Sequence, residues 1–478
     1  MIAFDRVFFG FADAETEAER NPTAFQKSFY DPHEYMKELI NGHKYILRGR
    51  KGDGKTAYSA HIKLSEDQWN IYAHQRSLNN FNNTTFSQIK TYDTLGGNPY
   101  ISFWKCILMI ECVSMINKFE PYIQDEIFTN LVYALNKYGF ISTDEDISVT
   151  VTKLVEANST INLKSIFQHG RKYTRDEELR GPEQIYSTIK NSIKGLYILK
   201  KFIFVIDGLD DILNNTEFKS DIITGLIRAV DEINKAFKST TLSIKILILI
   251  RDDILSLCRD PNLSKIKRDS SISLTWEITG DPLSSDLLQL VNKRIGETAG
   301  IPTDIGQVWN EIFPDTISNR TSIDYILDNI IYRPRDILQF FVEAQKEYIP
   351  GKMFTYDKIQ KALVRYSEDY FVSAMQDELT GFFPNEVINV LPQILSRMGS
   401  RFFYLSDFEK ECDNYEAFKC IDKKRDILER LFNAGYIGQH RPRMSTDYTV
   451  FSYRNPVERF QDDHECILHR GLTRALTL

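Results

Sequence analysis

The segment that most constrains the fold of this chain is a short apolar strand that runs directly into a glycine-rich loop. The apolar run covers residues 45–47, and the loop follows as Gly-x-x-x-x-Gly-Lys-Thr over residues 49–56. Glycine lets the backbone bend sharply and brings several N–H groups close to an anion. A helix that starts at the end of such a loop aims its positive end at the same anion. The spacing therefore predicts a strand–loop–helix unit that holds phosphate groups.

The same loop supplies the predicted contacts of ATP and Mg²⁺. We expect the Lys55 ammonium to reach the β- and γ-phosphates and the Thr56 hydroxyl to hold Mg²⁺. The residues predicted to bind the nucleotide are Gly49, Arg50, Lys51, Gly52, Asp53, Gly54, Lys55 and Thr56. The alternative is a glycine-rich surface turn with an incidental lysine.

A second apolar run, over residues 200–206, ends in the acidic sequence Asp207-Gly208-Leu209-Asp210-Asp211. A continuous apolar run of this length is typical of a strand that is buried on both faces of a parallel sheet. Ligands of such sheets bind at the carboxyl ends of the strands. Asp207 is therefore predicted to hold Mg²⁺, and Asp210 or Asp211 to orient or deprotonate the attacking water. A strand followed by a solvated acidic turn is the alternative.

Arginines follow two further elements and are candidates for reading the γ-phosphate. A third apolar strand, residues 243–250, ends at Arg251, and the parallel crossover places this end at the same sheet edge as Asp207. Arg251 either senses or stabilises the phosphate or forms a salt bridge with a neighbouring acid. Arg333 and Arg335 flank a proline at the start of a helix, where either could bind phosphate or lie on a solvated face.

The order of these patterns predicts an α/β fold with a parallel-sheet core, a helical lid and a further C-terminal domain. We expect a lead-in and a helix over residues 1–43, the helix beginning at Asp31-Pro32, and the core over 44–300 with a helical insertion at about 75–195. The lid is expected over 301–355 and a winged-helix-like domain, helices followed by a two-stranded ribbon, over 356–478. Alternation over residues 271–278 predicts one more strand.

Composition limits the partners and the compartment. The net charge is −7, so no global basic character favours nucleic acid or a membrane surface. Six scattered cysteines favour free thiols in a reducing compartment, the cytoplasm, and no leader sequence is visible. The most apolar window, residues 101–116, carries Lys105 and Glu111 and is short for a membrane span, so we expect a buried helix and no membrane partner.

The motifs together resemble those of a known group of ATPases. Residues 49–56 and 205–211 are similar to the two nucleotide motifs of the STAND and origin-recognition-like branch of P-loop ATPases, which is related to AAA+ proteins. Residues 249–251 resemble the first sensor of that branch, and residues 332–335 resemble its second. The chain is most similar to the bacterial stand-alone members, which carry no fused effector domain.

This resemblance implies an ATPase core, a helical lid and a winged helix, with ATP-dependent switching or oligomerisation in bacterial antiviral defence. The output would be self-association or a partner effector protein. Two positions depart from the group: Asp53 places a carboxylate inside the loop, and Gly208 stands where many AAA+ members carry a glutamate. The side chain of Asp53 must then point away from the phosphates, and hydrolysis is expected to be slow.

Three functions compete at this level. The leading one is a switch ATPase that controls assembly or a partner effector. The second is an ATP-dependent nucleic-acid sensor or loader, in which Arg441 and Arg443 of the C-terminal domain contact DNA or RNA. The third is an interaction protein that is held in one state by tightly bound ADP.

Overall fold

Two compact units divide the chain. The computed structural model describes residues 3–478 apart from 79–98, 138, 142–181, 210–218, 259 and 442–447. Unit 1 comprises Met1–Pro32, Arg50–Gly54 and Thr275–Leu478, and unit 2 comprises His33–Gly49 and Lys55–Leu274.

Helices and strands alternate in the first half of the described chain, and helices dominate the second half. The helices are α1 (Ala14–Arg20), α2 (Pro22–Ser28), α3 (Tyr35–Asn41), α4 (Lys55–Leu64), α5 (Glu66–Trp69), α6 (Pro99–Phe119), α7 (Glu126–Lys137), α8 (Pro182–Ile193), α9 (Lys219–Phe237), α10 (Asp252–Leu257), α11 (Pro261–Ser270), α12 (Asp286–Ala299), α13 (Ile305–Ile312), α14 (Ser322–Leu327), α15 (Pro334–Glu347), α16 (Tyr356–Arg365), α17 (Val372–Leu379), α18 (Asn385–Arg397), α19 (Leu405–Cys412), α20 (Arg425–Ala434) and α21 (Arg470–Ala475). The strands are β1 (Ile46–Gly49), β2 (Ile71–Ser77), β3 (Lys201–Asp207), β4 (Ile244–Arg251), β5 (Ser271–Ser273), β6 (Thr316–Ile317), β7 (Arg320–Thr321), β8 (Phe402–Phe403), β9 (Ile437–Arg441), β10 (Tyr448–Val450) and β11 (Cys466–Leu468).

Unit 2 is built on a five-stranded sheet with the strand order β2-β3-β4-β1-β5, and every pairing in it is parallel. The central strand β4 is buried at every position, as its largely apolar sequence predicts. β1 lies between β4 and β5, with Gly49 paired in register with Arg251. The parallel α/β core expected from the three apolar runs is therefore present.

The apolar helix α6 lies inside unit 2. By length and composition its Tyr100–Phe119 stretch could cross a membrane, but 83% of its most apolar window is buried. Its two internal charges are both paired, because Glu111 binds Arg76 at 2.8 Å and Lys105 lies within 3.0 Å of Glu183 and Glu232. This placement is that of a core helix.

Two expected element boundaries are wrong. The helix predicted to begin at Asp31-Pro32 begins at Tyr35, because Glu34 adopts a left-handed conformation with a φ of 54° that a helix cannot contain. The strand predicted over residues 271–278 ends at Ser273.

Unit 1 is mainly helical, and its core is one large apolar cluster formed by residues of α12 to α21 and of the N-terminal segment, including Phe4 and Phe9. α15 begins at Pro334, as the proline pattern predicts. α16 and α17 are joined by a wider helical turn over Tyr366–Phe371, which buries the Tyr366 side chain completely.

A four-stranded antiparallel sheet with the order β10-β9-β11-β8 completes the C-terminal part of unit 1. The predicted two-stranded ribbon is confirmed as the β9–β10 pair, in which Tyr448 lies opposite Arg441. β11 and β8 were not foreseen, because β8 has two residues and β11 has three, too few for a periodic pattern.

Candidate functional site

In unit 2 the candidate site lies where β1 ends and α4 begins. The Lys55 ammonium donates to the carbonyl of Gly49 at 3.1 Å, which folds the lysine back along the strand end. Lys55 and Thr56 stand in the first turn of α4, at the positive end of the helix. The positions of these two side chains thus follow directly from the order strand, loop, helix.

Thr56 and Asp207 are brought together although 151 residues separate them in sequence. The Thr56 hydroxyl donates to Asp207 Oδ2 at 3.0 Å. The other oxygen, Oδ1, accepts the backbone N–H of Gly208 at 2.8 Å, which fixes the carboxylate at the end of β3. Gly208 has a φ of 73°, so the chain turns at once after the carboxylate in a conformation that suits glycine.

Of the remaining predicted catalytic residues, the structure describes Arg251 but not the two acids. Asp210 and Asp211 lie outside the described residues. The Arg251 guanidinium is buried and binds both oxygens of Asp253, with Nε at 3.0 Å and Nη2 at 2.7 Å. This is the salt bridge to a neighbouring acid that the sequence left open for Arg251.

In unit 1 the loop residues Arg50–Gly54 form a compact turn whose centre is Asp53. Asp53 is buried, and its Oδ2 accepts the backbone N–H of Arg50 at 2.6 Å. Its other oxygen lies 3.4 Å from the guanidinium of the same arginine. Both oxygens of the Asp53 carboxylate therefore contact Arg50 and stabilise the turn.

Arg333 of unit 1 clamps the same turn. Its Nη1 donates to the carbonyl of Lys51 at 3.0 Å and to Glu378 Oε1 at 3.1 Å, and its Nη2 donates to the Tyr436 hydroxyl at 2.7 Å. Its Nε donates to Asp336. The side chain is only 3% exposed, and most of its donors are thus committed to protein acceptors.

Arg333, Asp336, Glu378 and Tyr436 together form what we call the Arg333 network. Its charged groups stabilise one another. Burial alone would lower the pKa of Arg333, but Asp336 and the other acidic groups around it raise the pKa above its usual value. Burial raises the pKa of the Tyr436 hydroxyl, which therefore stays protonated. Tyr366 donates a further hydrogen bond to Asp336 at 2.7 Å.

Arg335 is placed differently from Arg333. Its backbone N–H lies 3.4 Å from the carbonyl of Gly52, and its side chain is half-buried. Among the described residues its guanidinium makes no hydrogen bond or ion pair. Of the two arginines expected to read phosphate, Arg335 is thus the one with its donors available beside the loop.

Sequence reasoning missed several residues that hold the loop. The Trp276 indole N–H donates to the carbonyl of Asp53 at 3.0 Å, and Arg50 Nη2 donates to the carbonyl of Tyr332 at 2.8 Å. Lys51 Nζ donates to the carbonyl of Asp377 at 3.2 Å. Because these bonds join segments more than 200 residues apart and use backbone acceptors, no local pattern could have indicated them.

Two comparisons with known proteins give a match. Residues 285–374 match a family model described as the FunZ-associated C-terminal helical domain. This range runs from the N-cap of α12 into α17, within unit 1.

The chain is also similar to an 80.3 kDa protein assigned to transposon gamma-delta in Escherichia coli (strain K12), with 23% identity over 306 residues. The similarity covers 59% of this chain and 41% of that protein, so the chain spans about two fifths of the length of this relative. Neither match is to a protein named as a P-loop or STAND ATPase. The resemblance of this chain to STAND ATPases therefore rests on its sequence motifs alone.

Proposed function

We propose that this protein is an ATP-binding, slowly hydrolysing switch ATPase. In this proposal the loop over residues 49–56 holds the triphosphate, and nucleotide occupancy controls self-association or a partner effector protein in the cytoplasm. Bacterial antiviral defence, the setting that the motif resemblance implies, belongs to the same proposal.

The observation that carries the proposal is the contact between Thr56 and Asp207. A hydroxyl on the first turn of the helix after β1 and a carboxylate at the end of β3, a parallel strand of the same sheet, meet at 3.0 Å, at the sheet edge where ligands of α/β proteins bind. A purely structural role would not need this pair at the first turn of α4, which also carries the Lys55 ammonium group.

The donor set also fits Mg²⁺. The Thr56 hydroxyl oxygen and the Asp207 carboxylate oxygen, 3.0 Å apart, are oxygen donors of the kind that Mg²⁺ prefers, and these two residues would hold the ion. Such an ion, when bound, neutralises charge on the β- and γ-phosphates. The chain would contribute the hydroxyl and the carboxylate, and the Lys55 ammonium would turn from the carbonyl of Gly49 to a phosphate oxygen.

Slow turnover is part of the proposal. Gly208 brings no carboxylate to the position next to Asp207, and Arg251 is bound to Asp253. The water-activating group must therefore come from Asp210 or Asp211, and the arginine that senses the γ-phosphate from Arg335. An enzyme with this arrangement would keep ATP bound for a long time before hydrolysing it, and a long-lived ATP-bound state suits a switch.

The switch itself would act through unit 1. Arg333 donates a hydrogen bond to the loop at the carbonyl of Lys51. It also donates to Glu378 of α17 and to Tyr436 at the start of the C-terminal sheet. A change in the loop conformation on nucleotide binding would therefore alter the contacts of Arg333 with both α17 and the C-terminal sheet.

Paired substitutions test the site. Lys55→Ala removes a charged donor worth about 1.5–3 kcal/mol, so the affinity for ATP should fall about 10- to 100-fold. Asp207→Ala should remove the Mg²⁺ dependence of binding and turnover. The controls are Lys63→Ala and Asp67→Ala, which change exposed side chains of α4 and α5.

Binding is measured by calorimetry and turnover by phosphate release. Normal binding and turnover in both site variants would show that the site is misassigned. Identification of the nucleotide in the purified protein, combined with multiple-turnover kinetics, separates this proposal from an interaction protein locked by ADP.

A further inference from the structure

A second cluster of charged groups lies in unit 1, apart from the loop. Three arginines converge on the carboxylate of Asp328: Arg454 Nη2 lies 2.9 Å from Oδ1, Arg470 Nε lies 3.9 Å from Oδ2, and Arg320 forms a shorter ion pair with the same oxygen. Burial raises the pKa of Asp328, but hydrogen bonds from Arg320 and Arg454 bring it below its usual value. The carboxylate is therefore ionised and shared.

Two more arginines join this cluster without a carboxylate of their own. Arg401 Nε donates to the carbonyl of Leu468 at 2.9 Å and makes no ion pair among the described residues. Burial, followed by the nearby charge of Arg470, lowers the pKa of Arg401. Arg474 binds only neutral groups, those of Asn329, Gln360 and Tyr325, at 2.6–2.9 Å.

The arginine cluster, defined as Arg320, Arg401, Arg454, Arg470 and Arg474, thus carries an excess of positive charge. Asp324, one helical turn before Asp328, accepts a hydrogen bond from the Thr321 hydroxyl at 2.5 Å. Burial apart, Arg470 is near enough to Arg401 to lower its pKa, and such repulsion between like charges costs folding stability. Within the described parts of the chain, neither Arg401 nor Arg474 gains an ion pair in return.

The excess charge points outward. The Arg320, Arg454 and Arg470 side chains are 39%, 35% and 41% exposed, so they form an open surface and not a closed pocket. Arginine presents a planar fork of donors that matches phosphate oxygens. A small anion gains little from exposed groups in water, whereas a polymer engages several of them at once.

The β9–β10 ribbon, where the sequence placed a nucleic-acid contact, has the opposite character in its described part. Arg441 lies 3.3 Å from Glu458, and His440 lies 3.1 Å from Glu465. The Arg441 guanidinium of β9 is therefore already matched by a carboxylate. Arg443 lies outside the described residues.

We propose that the arginine cluster around Asp328 binds the phosphodiester backbone of a nucleic acid. The contact is to phosphate and carries no base sequence. It does not depend on ATP binding, so its test is carried out without nucleotide.

The test uses the full chain and short fluorescently labelled DNA and RNA oligonucleotides, with anisotropy measured between about 50 and 200 mM salt. Arg401→Gln combined with Arg470→Gln removes two phosphate contacts. The affinity should fall at least tenfold, and the slope of log affinity against log salt should become shallower by about 1.5. Arg441→Gln is the matched control and should leave both quantities unchanged.

Folding of the variant is checked by thermal melting, in which the double variant should melt at the same or a higher temperature because repulsion is relieved. No binding by the wild type at about 50 mM salt would overturn the proposal, and so would an equal loss in Arg441→Gln or no loss in the double variant. Inorganic phosphate is the competitor: if oligonucleotides bind no more tightly than free phosphate, a small anion is the ligand and the proposal fails.

Discussion

Gly52 and Gly54 show how much the function of a single residue depends on its surroundings. Both have positive φ values, 87° and 96°. A Cβ placed on Gly52 would lie 3.1 Å from Cδ of Arg333, whereas a Cβ on Gly54 meets no described atom within 4 Å. Gly52 is thus confined by the Arg333 side chain, and Gly54 faces open space that a phosphate group could fill.

Alanine substitutions at these glycines should therefore separate stability from nucleotide binding. Either change costs roughly 1–3 kcal/mol of backbone strain. We expect Gly52→Ala to lower the melting temperature more, because it also displaces the buried arginine stem. Gly54→Ala should weaken ATP binding more, because its Cβ enters the space proposed for phosphate. Melting curves and ATP calorimetry on both variants check this, and equal effects on both quantities would contradict it.

At the scale of elements, the buried Lys245 and the half-buried Lys201 support the helix that precedes the loop. Lys245 of β4 donates to the carbonyls of Gly42 and Glu38 at 2.8 and 3.3 Å, and Lys201 of β3 donates to the carbonyl of Ile40. These carbonyls end α3, where a cation is favourable. Burial, followed by the charge of Lys201, lowers the pKa of Lys245 to about 7.

The lowered pKa makes the stability of unit 2 depend on pH. Between about pH 7 and pH 10.4 the unfolded chain holds a proton on Lys245 that the folded chain has lost, so the free energy of unfolding rises with pH, by at most about 1.4 kcal/mol per pH unit. Below about pH 7 both states are protonated and the slope disappears. Lys245→Met should flatten the rise, whereas Lys238→Met, on an exposed side chain, should not. Urea unfolding across this pH range is the measurement, and parallel curves for all three proteins would refute the assignment.

The elements also show what a sequence can predict. β3 and β4 were predictable because strands buried on both faces leave an unbroken apolar run. The start of α3 was not, because the left-handed conformation of Glu34 leaves no mark on the composition. Arg333 was recognised as a candidate, but its partners Glu378 and Tyr436 lie 45 and 103 residues away. Contacts of that range depend on tertiary packing, so the role of Arg333 became visible only in the structure.

At the scale of the molecule, one buried group in unit 1, Arg333, links the loop residues Arg50–Gly54 to the C-terminal sheet. Arg333 joins the carbonyl of Lys51, α17 at Glu378 and the C-terminal sheet at Tyr436. Removal of this guanidinium would leave the buried carboxylates of Asp336 and Glu378 without the cation that lies between them, at a cost of about 3–5 kcal/mol. Replacement of Arg333 would therefore confound unfolding with altered coupling, and a milder change is needed.

Tyr436→Phe provides that change, because it removes one hydroxyl and leaves one buried donor of Arg333 without its 2.7 Å partner, at a cost of about 1–3 kcal/mol. Tyr453→Phe is the matched control: it removes another buried hydroxyl of unit 1, which lies 3.2 Å from His469 Nε2 and has no bond to the loop. Both variants should melt at a lower temperature than the wild type.

Only Tyr436→Phe should change the affinity for ATP, because only this hydroxyl is joined to the loop through Arg333. Calorimetry with ATP and Mg²⁺, at a temperature where both variants are folded, measures the difference. Equal ATP affinities in the two variants, with equal losses of thermal stability, would mean that the Arg333 network braces the fold without carrying a signal from the nucleotide. A selective change in Tyr436→Phe would make the C-terminal sheet part of the switch.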